Sequence, residues 1–368
     1  MFDDFCRQGI SSIVNVSLND IQWSQVSLPV NAGGLGIRKA SDIALPAYLA
    51  SAVGSSSLML QILPSHLRST NDPTRDLALA AWSLASDFSP APPETVAFKQ
   101  KSWDRIIVTK TQDHLLANAT DDYDKARLRA TFSKNSGDWL NAIPLSSVGL
   151  RLDNESIRVA VGFRLGATIC EPHICPCGAN VDARGTHGLS CQKRTSGRHL
   201  RHRLLNDIIW RSLGRAQFPA LKEPNGLFRT DGKRPDGVTI LPWARGKCVA
   251  WDATTPDTLA KSHIDKTKNS SGAAAEFAAE KKSTKYLDIN QSHIFVPIAV
   301  ETMGSWSSSS LNFINELGKR LTNVTGDKRE TSFLKQRISM AIQRGNVASF
   351  FACLPDYKDD LDNLPLTR

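Results

Sequence analysis

A short segment of cysteine and histidine residues constrains this 368-residue chain more than any other feature. Cys175, Cys177, His187 and Cys191 follow the spacing C-x-C-x9-H-x3-C. Thiolate and imidazole groups are the ligands that zinc prefers, and four of them complete a tetrahedral site. The sequence therefore predicts a structural zinc site, because no coordination position stays open for a substrate.

Two alternatives to this assignment remain open. The three cysteines and the histidine could cluster without any metal, as small buried side chains do. Cys170 and His173 also lie close enough in the sequence for either of them to replace one of the four ligands. A disulfide framework is not indicated, because three of the seven cysteines crowd into one stretch of a large chain.

The net charge of +9 favours a polyanionic partner such as nucleic acid. Much of this charge follows the cysteine segment, where residues 191–215 hold seven basic residues against one acid, Asp207. We expect such a segment to contact the phosphate backbone. The residues predicted to bind nucleic acid are Lys193, Arg194, Arg198, Arg201, Arg203 and, further along the chain, Arg234.

Length and periodicity predict an α+β multidomain protein. Residues 1–150 carry apolar residues at helical spacing, which predicts a mostly α-helical N-terminal half. Residues 151–195 contain the predicted zinc site. Residues 196–355 alternate strand-like and helical runs, a pattern typical of an α/β domain, and residues 356–368 form a C-terminal tail.

The N-terminus lacks the pattern of a secretory signal, so we expect an intracellular protein. The most apolar stretch, residues 44–63, is interrupted by Pro46, Gly54 and three serines. A membrane span needs roughly 20 apolar residues, and these interruptions make the stretch a poor candidate. We interpret it as a buried pair of helices and expect no membrane partner.

Two aspartates flank a predicted β-hairpin. Asp236 precedes one strand-like run, Asp252 ends the next, and the turn between them centres on Ala244. Paired residues of an antiparallel hairpin have a constant sum of residue numbers, so this turn places Asp236 opposite Asp252. Two facing carboxylates would repel each other, and they predict a site for one hard divalent cation such as Mg²⁺.

Lys282 and Lys285 share one face of a helix predicted over residues 272–287, because they are three positions apart. If that face turns toward the hairpin, a lysine would help to orient the water that attacks a phosphate. The same spacing is also typical of a solvated helix surface. Glu223 and Glu301 are further candidates for metal ligation.

Together these residues resemble the C-terminal region of non-LTR retrotransposon proteins whose endonuclease is related to type II restriction enzymes, the PD-(D/E)xK superfamily. The zinc knuckle, Arg234-Pro235-Asp236, Asp252 and a helix that ends at Lys285-Tyr286 occur in the family's order. Residues 23–38 look like the segment beyond the catalytic core of such reverse transcriptases, which makes residues 1–150 similar to their thumb-like part. Thr254 stands where the plain superfamily has lysine, and in the retrotransposon branch the following helix supplies it.

The resemblance implies a nuclear, Mg²⁺-dependent endonuclease that nicks DNA for target-primed reverse transcription. Asp236 and Asp252 would bind the metal, and Lys282 or Lys285 would be the catalytic cation. The element's RNA is a second candidate partner. Reverse transcriptase activity is not expected, because the aspartate pairs at 3–4 and 121–122 lack the strands of a polymerase hairpin.

Two other functions are compatible with the same residues. A truncated element copy could retain nucleic-acid binding on a catalytically inactive nuclease fold. A scaffold for protein interactions could instead be built on the zinc knuckle. Only the endonuclease predicts cleavage that depends on Mg²⁺, and only the scaffold predicts no salt-sensitive binding of DNA.

Overall fold

The computed structural model describes residues 1–67, 72–225 and 234–355, and it is a mixed α and β structure in which helices predominate. Two compact units are present, Met1–Ile13 with Leu18–Asn118, and Val14–Ser17 with the residues from Ala119 onward. This division at residue 118 differs from the predicted boundary at 150. The predicted tail, residues 356–368, lies outside the described residues.

The first unit is helical. Asp72 begins one of its helices, because its carboxylate accepts the backbone N–H of Arg75 at 3.0 Å and Pro73 occupies the first helical position. Its core contains Trp82 and Trp103, packed edge to face with ring centroids 4.9 Å apart. The helices up to residue 118 are α1 (Phe2–Val14), α2 (Asp20–Val26), α3 (Ala40–Ile62), α4 (Pro73–Ala85), α5 (Glu94–Ala97) and α6 (Gln100–Ala117).

Helix α3 contradicts the prediction of a buried helix pair at residues 44–63. Pro46 removes one backbone hydrogen bond but does not end the helix. The serines continue it, since Ser55 and Ser56 donate their hydroxyls to carbonyls of the preceding turn at 2.9 and 2.8 Å. By length and composition alone α3 could cross a membrane, a test that other kinds of helix also pass. Its C-terminal half exposes Leu58, Met59, Leu60 and Ile62.

The second unit contains two small sheets and the remaining helices. A two-stranded antiparallel sheet pairs β1 (His173–Ile174) with β2 (Asn180–Val181). A four-stranded sheet has the order β3 (Ala220–Lys222), β4 (Gly237–Thr239), β5 (Val249–Thr254) and β6 (Ile294–Ala299). Only its β5–β6 pair is parallel. The helices are α7 (Asp122–Phe132), α8 (Asn154–Leu165), α9 (Ser196–Arg215), α10 (Ile264–Thr267), α11 (Ala273–Lys285), α12 (Ser308–Thr325) and α13 (Glu330–Phe351).

Strand β5 lies at the centre of the main core. Its residues from Val249 to Ala253 are buried, as expected for a strand covered on both faces. Helix α11 makes the crossover from β5 to the parallel strand β6, a connection that parallel pairing requires. Trp251 packs in a cluster with residues of α9, α12 and α13, among them Leu205, Leu317 and Ile338.

Helices α9 and α13 cross at a contact where glycine is required. A Cβ added to Gly197 would lie 2.4 Å from the carbonyl oxygen of Gly345 and 2.2 Å from Oγ of Ser349. One added to Gly345 would lie 2.1 Å from Cγ of Arg201. The two backbones therefore approach more closely than any other residue type would allow.

We expect Gly197→Ala and Gly214→Ala, two substitutions on α9, to have opposite effects on stability. Alanine at 197 overpacks a backbone contact, which typically costs about 1–3 kcal/mol. A Cβ at Gly214 meets nothing within 4 Å, so alanine there should raise the free energy of unfolding by up to about 1 kcal/mol through helix propensity. Chemical denaturation of both variants measures this, and a Gly197→Ala protein as stable as the parent would contradict the crossing.

Candidate active site and metal centre

The predicted zinc ligands come together in the structure. The ligand atoms of Cys175, Cys177, His187 and Cys191 all lie within 4.8 Å of one another. Sγ of Cys175 is 4.0 Å from Sγ of Cys191, and Sγ of Cys177 is 3.3 Å from Nε2 of His187. Ligands roughly 2.1–2.3 Å from a tetrahedral zinc are separated by about 3.5–3.8 Å. The cluster could therefore hold a metal such as zinc.

The local backbone positions these ligands. Cys175 and Cys177 lie in the turn between β1 and β2, closed by a hydrogen bond from Cys175 N–H to the carbonyl of Ala179 at 2.9 Å. His187 lies in a 3₁₀ turn, Thr186–Leu189, that leads to Cys191. The backbone N–H of Ala179 lowers the pKa of the Cys177 thiol, which favours the thiolate that a metal needs.

The two alternative ligands have other partners. Nδ1 of His173 lies 2.8 Å from the carbonyl of Glu171, and Nε2 lies 3.1 Å from that of Cys353. Sγ of Cys170 lies 3.4 Å from the carbonyl of Asp182. Neither belongs to the cluster of four.

Sequence reasoning missed Cys353 as a neighbour of the metal cluster. It follows α13 and is buried against Cys175 and Cys191. Burial raises the pKa of its thiol, and contacts with those two cysteines raise it further. Cys353 thus lies beside two of the ligands, and its distance of more than 160 residues along the chain from them explains why spacing gave no signal.

The two aspartates occupy the hairpin positions that the residue numbers predict. Gly237 pairs with Trp251 and Val238 with Ala250 in the antiparallel β4–β5 ladder, so Asp236 falls opposite Asp252. A hydrogen bond between the strands stabilises this register, because the backbone N–H of Ala253 donates to Oδ2 of Asp236 at 2.6 Å. Asp252 is buried, and the Asp236 side chain is 16% exposed.

Both predicted lysines point toward the hairpin. They lie in the last turn of α11. Nζ of Lys282 donates to Oδ1 of Asp252 in a short contact, and Nζ of Lys285 lies 3.9 Å from Oδ2 of the same residue. Lys285 also donates to the hydroxyl of Tyr286 at 2.8 Å, and that hydroxyl donates to the carbonyl of Arg234 at 2.8 Å. The solvated-surface alternative therefore does not describe these two side chains.

His202 is a third neighbour of the carboxylates, and sequence reasoning missed it. It lies on α9, and its Nε2 is 3.0 Å from Oδ2 of Asp236. This hydrogen bond raises the pKa of His202, although partial burial lowers it. The available sequence signal was weak, since a lone histidine in a basic helical segment has many possible partners.

Glu223 and Glu301 occupy different surroundings from those predicted. Glu223 is next to the site, where its backbone N–H donates to the carbonyl of Asp236 at 2.8 Å, but its exposed side chain pairs with Arg234. Glu301 is fully buried. Its Oε1 accepts the N–H groups of Ala274 and Ala275 at 2.9 and 3.2 Å, at the beginning of α11.

The assignment of Glu301 as a metal ligand is therefore corrected. Its Oε2 accepts the hydroxyl of Thr258 at 3.0 Å, so both carboxylate oxygens are used. Lys282 lies eight positions after Ala274 in the helix, a rise of roughly 12 Å. Glu301 caps the helix end that is distant from Asp252, where an acceptor satisfies N–H groups without partners in their own helix.

The basic segment after the metal cluster is not a continuous open patch. Arg201 is 1% exposed, and its guanidinium donates to the carbonyls of Gly345 and Leu189 at 3.2 and 3.0 Å. It cannot reach a phosphate, so its predicted role in binding nucleic acid is corrected to a structural one. Burial lowers its pKa to about 10, which leaves it charged at neutral pH.

The other predicted contacts differ in exposure. Arg198 donates to the carbonyls of Ser190 and Cys191 at 3.3 and 3.1 Å, which ties α9 to the metal cluster. Arg194 and Arg234 are partly buried. Lys193 and Arg203 are exposed, so they are the residues of this set best placed for phosphate contacts.

A scan of the chain against protein-family models finds no matching family, and a search of curated proteins finds no matching relative. A functional assignment therefore depends on the residues of the two sites. The Cys/His cluster offers structural ligands. The Asp236–Asp252 pair has Lys282, Lys285 and His202 beside it.

We expect protein purified without chelator to contain about one zinc per chain, because small sites of this kind fold only with their ion. Cys177→Ser should lose the metal, as measured by elemental mass spectrometry. Cys6→Ser is the matched control, since this free cysteine belongs to the first unit. A full equivalent of zinc in Cys177→Ser, or none in the parent protein, would contradict the assignment.

Stability should depend on pH through Glu301. Burial raises its pKa to about 7 from the ordinary 4.5, although its hydrogen-bond donors lower it. The folded protein thus holds this proton more tightly than the unfolded chain. The resulting stability is fully present below pH 4.5 and is lost as the pH rises through 7, a change of about 2 kcal/mol between pH 5 and 8.

Glu301→Gln removes this titration, so the difference in unfolding free energy between parent and variant should change across that pH range. Glu223→Gln replaces an exposed carboxylate and serves as the control. Denaturation curves at several pH values measure both differences. A Glu301→Gln difference that stays constant from pH 5 to pH 8 would refute the pKa shift.

Proposed function

We propose that this chain is a Mg²⁺-dependent DNA endonuclease of a non-LTR retrotransposon, which nicks target DNA for primed reverse transcription. The observation that carries the proposal is the pairing of Asp236 with Asp252 at one end of a hairpin, with Lys282 and Lys285 turned toward them. A carboxylate pair can hold the divalent cation that a metal-dependent phosphodiesterase uses, and a nearby lysine can stabilise the charge that develops on the phosphate.

The donor set fits Mg²⁺. Carboxylate oxygens are the hard ligands that this ion prefers, and it commonly uses one or two of them with water completing its coordination. Hydrogen bonds fall on Oδ2 of Asp236 and Oδ1 of Asp252, and Oδ2 of Asp252 lies 3.9 Å from Nζ of Lys285, so a cation bound by both carboxylates would displace or share these lysine contacts. Mg²⁺ bound there would activate water and neutralise charge on the scissile phosphate.

The lysines would act on the substrate side of the same site. An ammonium group beside the carboxylates attracts the phosphate and stabilises the negative charge that develops during hydrolysis. Lys282 contacts Asp252 directly, whereas Lys285 divides its contacts between Asp252 and Tyr286. We therefore assign the catalytic role to Lys282 and a supporting role to Lys285.

DNA would be held by groups around this centre. Lys193 and Arg203 are exposed, and their positive charges would contact the phosphate backbone. The Cys/His cluster would be a structural zinc knuckle that fixes the segment in front of α9. Element RNA is a second polyanion that the same charges would bind, and a protein acting on chromosomal DNA would work in the nucleus.

We expect the parent protein to nick supercoiled plasmid in Mg²⁺ but not in EDTA. Asp252→Asn should abolish nicking and leave DNA binding intact or slightly stronger, because it removes an anion that repels phosphate. Gel assays of nicking and of binding, run on the same preparations, separate the two properties. Tight binding by a parent protein that never nicks would favour the inactive remnant, and full nicking by Asp252→Asn would refute the site.

The two lysines should differ in the same assay. Lys282→Ala should lower the nicking rate on the order of a hundredfold or more, as expected when a group that stabilises transition-state charge is removed. Lys285→Ala should cost less. Lys281→Ala is the matched control, because this neighbour on α11 is exposed. A Lys282→Ala rate equal to that of Lys281→Ala would exclude Lys282 as the catalytic cation.

A further inference from the structure

His202 holds one oxygen of Asp236 from outside the sheet. Its Nε2 lies 3.0 Å from Oδ2, and the N–H of Ala253 donates to the same atom from the neighbouring strand at 2.6 Å. Oδ2 of Asp236 therefore has two hydrogen-bond partners, one on a helix and one on a strand. These two contacts restrict the rotation of the carboxylate and leave Oδ1 as the oxygen that does not contact either donor.

Helix α9 keeps the His202 ring in place through its neighbours. Arg201, the preceding residue, is buried and bonded to α13. Asn206, one turn later, accepts the indole N–H of Trp251 at 2.8 Å, which ties the same helix to β5. These contacts fix the part of the helix from which the His202 side chain, itself 45% exposed, reaches Asp236.

We propose that His202 is a positioning residue that orients Asp236 for binding the divalent cation. The inference rests on the proposed nuclease site. Groups that hydrogen-bond a metal-ligating carboxylate fix its orientation, and their removal typically costs about 10–100-fold in metal affinity or activity. Histidine suits this position because it reaches Asp236 across the gap between α9 and the hairpin.

The test measures metal binding as well as activity. Zinc-loaded protein is titrated with Mn²⁺, a paramagnetic probe that replaces Mg²⁺ at oxygen sites, and bound Mn²⁺ is followed by electron paramagnetic resonance. Asp252→Asn defines the signal that comes from the proposed site. The comparison uses His202→Ala, His202→Gln, which retains an N–H donor, and His199→Ala, an exposed histidine on the same helix.

We expect His202→Ala to weaken Mn²⁺ binding about 10–100-fold, and His202→Gln to restore most of the affinity. His199→Ala should match the parent. In nicking assays His202→Ala should need more Mg²⁺ for half-maximal rate, with most of the rate recovered at saturation. A residue that only supports the fold would show neither the shift in metal requirement nor rescue by glutamine.

The possible failures are distinguishable. Mn²⁺ affinity unchanged in His202→Ala, or equally weak in His202→Gln, overturns the role of His202 while leaving nicking by the parent untouched. Weakened Mn²⁺ binding in a protein that never nicks supports the role of His202 and refutes the proposed endonuclease. Mn²⁺ binding that does not depend on Asp252 refutes the metal site and this inference together.

Discussion

The close crossing of α9 and α13 is the contact on which the second unit depends. Gly197 and Gly345 let the two backbones meet, and the side chain of Arg201 lies across the crossing. Its guanidinium is buried, so its donors must find acceptors or carry a large desolvation cost. Its two terminal nitrogens find them, in α13 and at the carbonyl of Leu189 beside the metal cluster, whereas its Nε has no hydrogen-bond partner among the described residues. One buried charge thus joins the cluster, α9 and α13.

Helix α9, which is positioned by its packing against α13, also contributes side chains to the candidate nuclease site. Residues of one α-helix have fixed angular positions relative to each other. The inward position of Arg201 on α9 therefore determines the faces on which His202 and Asn206 lie. His202 meets Asp236, and Asn206 accepts the indole N–H of Trp251. A Cβ on Gly237 would lie 2.2 Å from that indole, so strand β4 can lie against Trp251 only with glycine there. The Asp236–Asp252 pair is adjacent to this contact, and its geometry follows from packing on either side.

The sequence predicted the parts of the site that depend on short-range order. The Cys/His spacing and the hairpin centred on Ala244 are local, so counting residues was sufficient for both. The burial of Arg201 could not be read in this way, because its acceptors in α13 lie more than 140 residues further along the chain. Helix α12 begins with a run of serines, residues that are more typical of a loop. Ser307 nevertheless caps it, and Ser310 donates to the carbonyl of Pro297 in β6.

Electrostatics connect the stability of the site to its proposed chemistry. Two carboxylates with little exposure repel each other strongly in a region of low dielectric, so the fold needs cations beside them. Lys282 on α11 contacts Asp252, and His202 on α9 contacts Asp236. Helix α11 is held at its other end by the buried carboxylate of Glu301, which accepts two of its first N–H groups. The lysine that balances the charge of Asp252 is therefore placed by a helix that is held at both ends, and it is the group to which the proposed function assigns the stabilisation of charge on the phosphate.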